Sequence, residues 1–289
     1  MSPAARVVVE QLLAEVAYRE LARILDGCGM DHLLLKGPHL GATVYDDPSQ
    51  RAYCDLDVLV RARQFEEAIA ALIAGGFRFK APMARRSATR AFAYERTVVS
   101  PHGWLIEVHR TLAPHGQYPV DYEALFARAE SFRFGQVPAH GLSPEDLLLH
   151  LVIHAAKTQF SNIEPKHVRD VALLVARRPM QWAMFERLAK EAGCSAAAWV
   201  WLSAAAKIDA APIPEEVLRR IRPAAMRRGW LGLWLTHERF PLLCRPGLPG
   251  WLRRLLVAPA LIDRFRHGAA CGWRFAIIRF RDLIGWPGA

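Results

Sequence analysis

The spacing of apolar residues changes near residue 140. Among the features of the sequence, this change most restricts the folds that the chain can adopt. Before that point, short apolar runs suited to strands alternate with turn residues and with a few helix-like stretches. After it, apolar residues recur at helical spacing between prolines and glycines. We therefore predict an α+β fold. An N-terminal domain with helices and a mixed or antiparallel sheet occupies residues 1–140, and an α-helical domain occupies residues 141–289.

Local patterns predict the elements of the first part. Apolar spacing indicates a helix over 7–28, and Pro38 suits the first turn of a second helix because it has no N–H to lose there. A third helix over 65–74 ends at Gly75-Gly76. Strand-like runs at 32–35, 53–60, 90–100 and 104–109 complete this part, and the last two flank a short turn typical of an antiparallel hairpin.

The second part begins with a helix start signal, since Ser143 can cap and Pro144 suits the first helical position. Apolar periodicity then predicts helices over 145–158, 165–177, 181–192, 196–207, 214–222, 224–238 and 251–284.

The composition limits the class of protein. Five cysteines lie far apart without a CxxC pair, which favours reduced thiols and disfavours a disulfide framework or zinc ribbon. Acidic residues interrupt the first apolar stretch, and no window of eighteen residues is apolar and free of charge. We expect a cytoplasmic protein without a spanning helix. The net charge of +10 suits anionic partners such as nucleotides, nucleic acid or lipid, although an arginine-rich genomic background would give the same excess.

Two aspartates stand on one predicted strand, Tyr53-Cys54-Asp55-Leu56-Asp57-Val58-Leu59-Val60. Residues two apart on a strand project from the same face, so Asp55 and Asp57 lie side by side. Two such close carboxylates repel each other unless a cation lies between them. Mg²⁺ prefers carboxylate oxygens together with water and substrate phosphates. A solvated strand end with incidental acids is the alternative for an isolated pair of this kind.

Further residues favour the metal hypothesis. Lys36 and Gly37 follow a strand and open a helix, a place where backbone amides favour phosphate. Arg51 offers a second cation for phosphate. Glu107 lies within an apolar strand, where a lone carboxylate is costly unless it is paired or binds metal, and His109 shares its face.

The segment LLLKGPHLGATVYDDPSQRAYCDLDVLVR, followed by LIEVH, SPEDLLLHLVIHAAK and HVRDVALLV, resembles an uncharacterised bacterial nucleotidyltransferase family. That family is part of the DNA polymerase beta-type nucleotidyltransferase superfamily. The resemblance covers about residues 30–180 and leaves the last hundred unassigned. Many superfamily members carry Gly-Ser where this chain has Lys36-Gly37-Pro38, so a hydroxyl contact to phosphate is missing.

The resemblance implies an enzyme that transfers a nucleotidyl group from an NTP and releases pyrophosphate. Asp55, Asp57 and Glu107 would hold two Mg²⁺ ions and carry the catalysis. Lys36, Gly37, Arg51 and His109 would bind the nucleotide or support its site. The acceptor would be a hydroxyl or phosphate of a small molecule, peptide or saccharide, which suggests natural-product tailoring, rather than a nucleic acid.

Two alternatives stay open at this point. One is an NTP-binding regulatory or toxin–antitoxin type protein with little catalysis, and the other is an RNA- or tRNA-modifying nucleotidyltransferase. Outside the acids, His150 and His154 stand four apart on a predicted helix, where packing inside the helical domain is favoured over a role at the acceptor. The arginines and aromatics of 251–286 fit core helices with arginines at the solvent edge, with weak binding to an anionic surface or to RNA as alternatives.

Overall fold

A computed structural model of the chain describes residues 3–80, 94–114, 116–158, 160, 163–236, 243–244 and 257–263. These residues form two compact units. The described residues of the first unit are 3–80, 94–112 and 121–143, and the second unit contains the others. Among the described helices, none combines the length and the apolar composition needed to cross a bilayer.

The first unit is built on a five-stranded sheet in the order β1-β2-β5-β4-β3. Its strands are β1 (His32–Leu34), β2 (Asp55–Val60), β3 (Arg78–Phe79), β4 (Glu95–Val99) and β5 (Leu105–His109). Strands β2 and β5 are parallel, whereas every other neighbouring pair is antiparallel. The mixed sheet confirms the predicted α+β class. The predicted hairpin appears as β4 and β5, although residues 90–93 of that prediction lie outside the described part.

Within the part of the first unit that the structure describes, four helices accompany this sheet: α1 (Pro3–Gly27), α2 (Lys36–Thr43), α3 (Phe65–Ala74) and α4 (Tyr122–Ala127). Short 3-10 turns occupy Pro48–Gln50 and Ala62–Gln64. A separate two-stranded sheet pairs β6 (Glu130–Phe134) with β7 (Val137–Gly141). The sequence patterns predicted the first three helices, and they missed α4, β6 and β7.

The sheet has one apolar face. Six side chains on that face are fully buried: Leu56, Val58, Val60, Val98, Ile106 and Val108. They share a core with Tyr18 and Leu21 of α1 and with Phe65 and Leu72 of α3. Burying one such aliphatic side chain stabilises a fold by about 1.5–3 kcal/mol at most. Because strand residues alternate in direction, the residues between them, among them Asp57 of β2, Glu95 of β4 and Glu107 of β5, point to the opposite face.

One ion pair lies on the core side of β4. The Arg96 guanidinium, 6% exposed, donates to both carboxylate oxygens of Glu66 at 2.7 and 2.6 Å. It also lies over the Phe65 ring, 5.3 Å from the ring centroid. This bidentate pair ties α3 to the sheet on the face opposite Asp57.

Close packing fixes the start of α2 beside β2. The Leu35 amide donates to the Asp57 carbonyl at 2.8 Å, so the pairing of β1 with β2 continues to Leu35, the residue directly before the helix. Lys36 follows with φ of +45°, in the left-handed region that non-glycine residues rarely adopt. Gly37 then lies so near Tyr53 that a β-carbon there would sit 2.8 Å from the Tyr53 β-carbon.

Helices make up most of the described residues of the second unit: α5 (Pro144–Lys157), α6 (Pro165–Arg177), α7 (Trp182–Glu191), α8 (Ser195–Ile208), α9 (Glu215–Arg220), α10 (Ala225–Trp234) and α11 (Ala258–Leu261). One prediction is wrong here. The stretch 224–238 is not one helix, because its residues Leu235–Thr236 form β8, which pairs with β9 (Leu243–Cys244). Apolar spacing over so short a run does not separate strand from helix. Most of the predicted helix over 251–284, with its basic residues, lies outside the described part.

The contact at Gly37 generates a stability prediction. Replacing Gly37 by alanine should lower the free energy of unfolding by about 1–3 kcal/mol, because α2 or Tyr53 must move to admit the methyl group. Urea titration monitored by circular dichroism measures the change. The matched control is Gly27→Ala, where a β-carbon meets nothing within 4 Å, and its effect should stay below about 1 kcal/mol. Equal stability of the Gly37→Ala variant and the unchanged chain would contradict the packing described.

His32 generates a second prediction. Its ring lies between the Tyr18 hydroxyl and the Met30 carbonyl, each at 3.3 Å. Burial lowers the pKa of His32 and outweighs the contribution of the Met30 carbonyl. At pH values between this lowered pKa and the ordinary pKa of ~6.5, the unfolded chain binds more protons than the folded one. The stabilisation from keeping His32 neutral is therefore full above that ordinary value and is lost as the pH falls.

We expect this loss to reach at most about 1.4 kcal/mol per pH unit. Urea titrations of the unchanged chain and of His32→Gln at several pH values between about 5 and 7.5 measure it. The His32→Gln variant should show the smaller dependence on pH. His102→Gln is the control, because the His102 side chain is 48% exposed. If His32→Gln keeps the full pH dependence, His32 is not its source.

Candidate functional site

The polar face of the sheet brings two of the predicted acids together. Asp57 on β2 and Glu107 on β5 are direct partners in the register of these parallel strands. Asp55 lies two residues before Asp57 and is partnered with Leu105. Residues two apart on a strand share a face, so Asp55 lies on the same side of β2 as Asp57. All three predicted acids therefore belong to one face of two neighbouring strands.

Lys36 forms an ion pair with Asp57. Its Nζ atom donates to Asp57 Oδ1 at 2.6 Å, and the two side chains are 16% and 4% exposed. Burial acts to raise the pKa of Asp57, but the charges of Lys36 and His109 outweigh burial and hold that pKa well below its usual range. Asp57 is therefore a carboxylate at neutral pH. The pKa of Lys36 is raised, because Asp57, Glu107 and Asp55 together outweigh the effect of its burial.

His109 joins three carboxylates. Its Nε2 atom lies 2.8 Å from Asp57 Oδ1 and 3.7 Å from Glu107 Oε2. Its Nδ1 atom, on the other side of the ring, lies 3.3 Å from Glu95 Oε2. Glu95 is directly opposite His109 in the antiparallel pairing of β4 with β5. Glu95 could not be recognised from the sequence, because only the hairpin register shows that it faces His109.

Asp57, Glu107 and His109 can hold a metal ion. One ligand atom from each lies within 4.8 Å of the others. Burial, followed by the charges of Asp57 and Glu95, raises the pKa of Glu107. The site formed by Asp57, Glu107 and His109 therefore still favours binding of a cation, although Lys36 and His109 already contact Asp57. Carboxylate oxygens of this kind suit hard divalent cations such as Mg²⁺, so the residues present fit such an ion.

The other predicted nucleotide-binding residues lie nearby in the chain. Gly37 is buried in the first turn of α2, where its closest neighbour is Tyr53. Arg51 is 5% exposed, and its Nη1 atom donates to the Ala52 carbonyl at 2.7 Å. A phosphate contact by Gly37 or Arg51 stays a prediction.

His150 and His154 belong to α5 in the second unit. Their ring centroids are 6.2 Å apart, and the His167 ring lies 6.4 Å from that of His154. His150 is 1% exposed. The rings thus pack next to one another within the helical unit, as expected for histidines that contribute to packing.

Solved structures of nucleotidyltransferases resemble part of the chain. One is the antibiotic-resistance factor ANT(2″)-Ia, at 14% identity and a TM-score of 0.39, over 56% of this chain and 82% of that one. A second is the lincosamide antibiotic adenylyltransferase LnuA with lincomycin bound, at 15% identity and a TM-score of 0.38, over 55% and 97%. A third is an antigenic nucleotidyltransferase-like protein from Paracoccidioides brasiliensis, at 15% and 0.40, over 74% and 92%.

The family of the chain follows from its sequence. No curated protein matches the chain in sequence. The model of a family described as uncharacterised nucleotidyltransferases matches residues 4–208, which is well over half of the chain. The match includes the acidic cluster, that is, Asp55, Asp57, Glu95 and Glu107. The chain therefore belongs to this family and is a nucleotidyltransferase.

Proposed function

We propose that this nucleotidyltransferase uses Mg²⁺ to transfer a nucleotidyl group from an NTP to a hydroxyl or phosphate of a small molecule, peptide or saccharide. Pyrophosphate is the leaving group. The observation that carries the proposal is the register pairing of Asp57 with Glu107, whose carboxylates and the His109 ring offer ligand atoms within 4.8 Å.

Asp57, Glu107 and Asp55 would hold two divalent ions. When bound, such ions neutralise phosphate charge and make the acceptor oxygen a better nucleophile. The nucleotide's α-phosphorus forms a bond to the acceptor oxygen and loses its bond to the pyrophosphate oxygen. A hydroxyl acceptor would give up its proton to Glu107. The carboxylates keep the acceptor side and the leaving-group side aligned, which is the main contribution of a protein to this class of transfer.

Lys36 would serve the leaving group. In the described structure its ammonium neutralises Asp57 at 2.6 Å. When divalent cations neutralise Asp57 instead, the Lys36 ammonium would be free to contact phosphate oxygens of a nucleotide bound beside Asp57. The first N–H groups of α2, which begins at Lys36, add a partial positive charge there. Arg51 is the further phosphate cation in this proposal.

The proposal predicts that Asp57→Asn and Glu107→Gln abolish tight Mn²⁺ binding and lower pyrophosphate release by on the order of 100-fold or more. Calorimetry with Mn²⁺ needs no acceptor. Pyrophosphate release is measured with ATP, CTP, GTP and UTP in turn, against a panel of hydroxyl and phosphate acceptors with Mg²⁺ present. Glu107→Gln is the safer of the two variants, because Asp57→Asn also leaves the buried Lys36 ammonium without its partner.

Glu67→Gln is the matched control, since Glu67 is an exposed carboxylate on α3 and should leave both readouts unchanged. Wild-type release of pyrophosphate by folded Glu107→Gln would overturn the metal role of Glu107. Tight NTP binding without pyrophosphate from any acceptor would favour the NTP-binding regulatory alternative. Activity restricted to RNA acceptors, with a steep dependence on salt, would favour the RNA-modifying one.

A further inference from the structure

Glu95, His109 and Asp57 form a continuous line of contacts across three strands. Glu95 Oε2 lies 3.3 Å from His109 Nδ1, and His109 Nε2 lies 2.8 Å from Asp57 Oδ1. The His109 side chain is 2% exposed, whereas the Glu95 side chain is 31% exposed at the end of the line nearest to water. The line includes a carboxylate, Glu95, that the proposed transfer does not use.

The chemistry of these contacts defines the role of His109. The Lys36 ammonium and the His109 ring both contact Asp57 Oδ1, through Lys36 Nζ at 2.6 Å and through His109 Nε2 at 2.8 Å. The 2.8 Å contact lies within the range of a hydrogen bond. His109 thus holds the Asp57 carboxylate in its orientation on the polar face of the sheet.

The position of Glu95 defines its effect on His109. A half-turn of the imidazole about its Cβ–Cγ bond would place ring carbons where the nitrogens now lie, and the hydrogen bond to Asp57 would be lost. Glu95 disfavours that turn, because its carboxylate stabilises a nitrogen, rather than a carbon, on its side of the ring. Carboxylates behind histidines at functional sites act in this way, by fixing ring orientation.

We propose that Glu95 is a positioning residue, which acts through His109 to hold the Asp57 carboxylate in the orientation that binds the divalent ion. The inference rests on the proposed function, since it assigns to Asp57 the role of a metal ligand. Glu95 itself does not contact the ion or the substrate. Its effect must therefore disappear when His109 is removed.

A double-mutant cycle on Mn²⁺ affinity, measured by calorimetry, tests this dependence. Glu95→Ala should weaken Mn²⁺ binding by on the order of tenfold, as is usual when the partner behind a site residue is lost. Glu95→Gln should restore most of the affinity, because its amide oxygen can accept from His109 Nδ1. In the His109→Leu background, which keeps a similar side-chain volume, Glu95→Ala should have no further effect.

Glu66→Ala is the matched control. Glu66 is also a carboxylate that contacts a buried basic side chain of the sheet, but it bonds Arg96 on the opposite face. Its loss should lower the free energy of unfolding without changing Mn²⁺ affinity. A comparable loss of affinity in Glu66→Ala would show that a general weakening of the sheet explains the result and would overturn the inference.

The remaining outcomes separate this inference from the proposed function. If the unchanged chain binds Mn²⁺ and Glu95→Ala binds it equally well, the positioning role is wrong and the proposed function stands. The same holds if Glu95→Ala weakens binding equally with and without His109. Should His109→Leu fail to fold, the comparison of Glu95→Ala, Glu95→Gln and Glu66→Ala decides alone. If the unchanged chain binds no Mn²⁺, the proposed function and the inference both fall.

Discussion

The site depends on mutual repulsion between carboxylates that the sheet forces onto one face. Asp55, Asp57, Glu95 and Glu107 lie on three neighbouring strands, and burial together with the charges of Asp57 and Glu95 raises the pKa of Glu107. In the described structure the Lys36 ammonium and the His109 ring offset part of this repulsion. A protein gains nothing in stability by gathering acids in this way. The arrangement makes physical sense for a surface that receives cations together with phosphates.

The geometry of the sheet explains why the same strands supply both a core and a site. Val58 and Val108 face α1 and α3, while the residues next to them along each strand, Asp57 and His109, face the other way. The core thus fixes the strand register, and the register fixes the distance between Asp57 and Glu107. A slip of one residue would turn the acids into the apolar core and the valines out of it, so the hydrophobic pattern protects the site from misalignment.

Much of this arrangement could be predicted from the sequence, because it follows from local patterns. The alternation around Asp55 and Asp57 identified β2 and its polar face, and the apolar run around Glu107 identified β5. The bounds of α3 and α6 match the predicted ranges 65–74 and 165–177. In β2, α3 and α6 the alternation or the helical spacing of apolar residues repeats over enough residues to distinguish strand from helix.

Other features depend on partners distant in the chain. The sequence analysis did not find β6 and β7, where Pro138 and the small residues Ala139 and Gly141 give a weak strand pattern. Glu95 was missed because its importance lies only in its pairing with His109. The phosphate-binding role of Gly37 stays a prediction, but the sequence did not show that its lack of a side chain also admits Tyr53. Contacts of this kind, between residues that are not neighbours in the chain, leave no periodic pattern in the sequence.

The parallel pairing of β2 with β5 has a consequence for how the protein forms. The two residues joined by the Asp57–His109 hydrogen bond are separated by 52 positions in the chain. A loop of that length is costly to close, and contacts between such distant segments slow folding. During synthesis, the acidic cluster cannot assemble before β5 has left the ribosome. Premature chains that end before Leu105 would carry the aspartates with no partner strand to complete the ligand set.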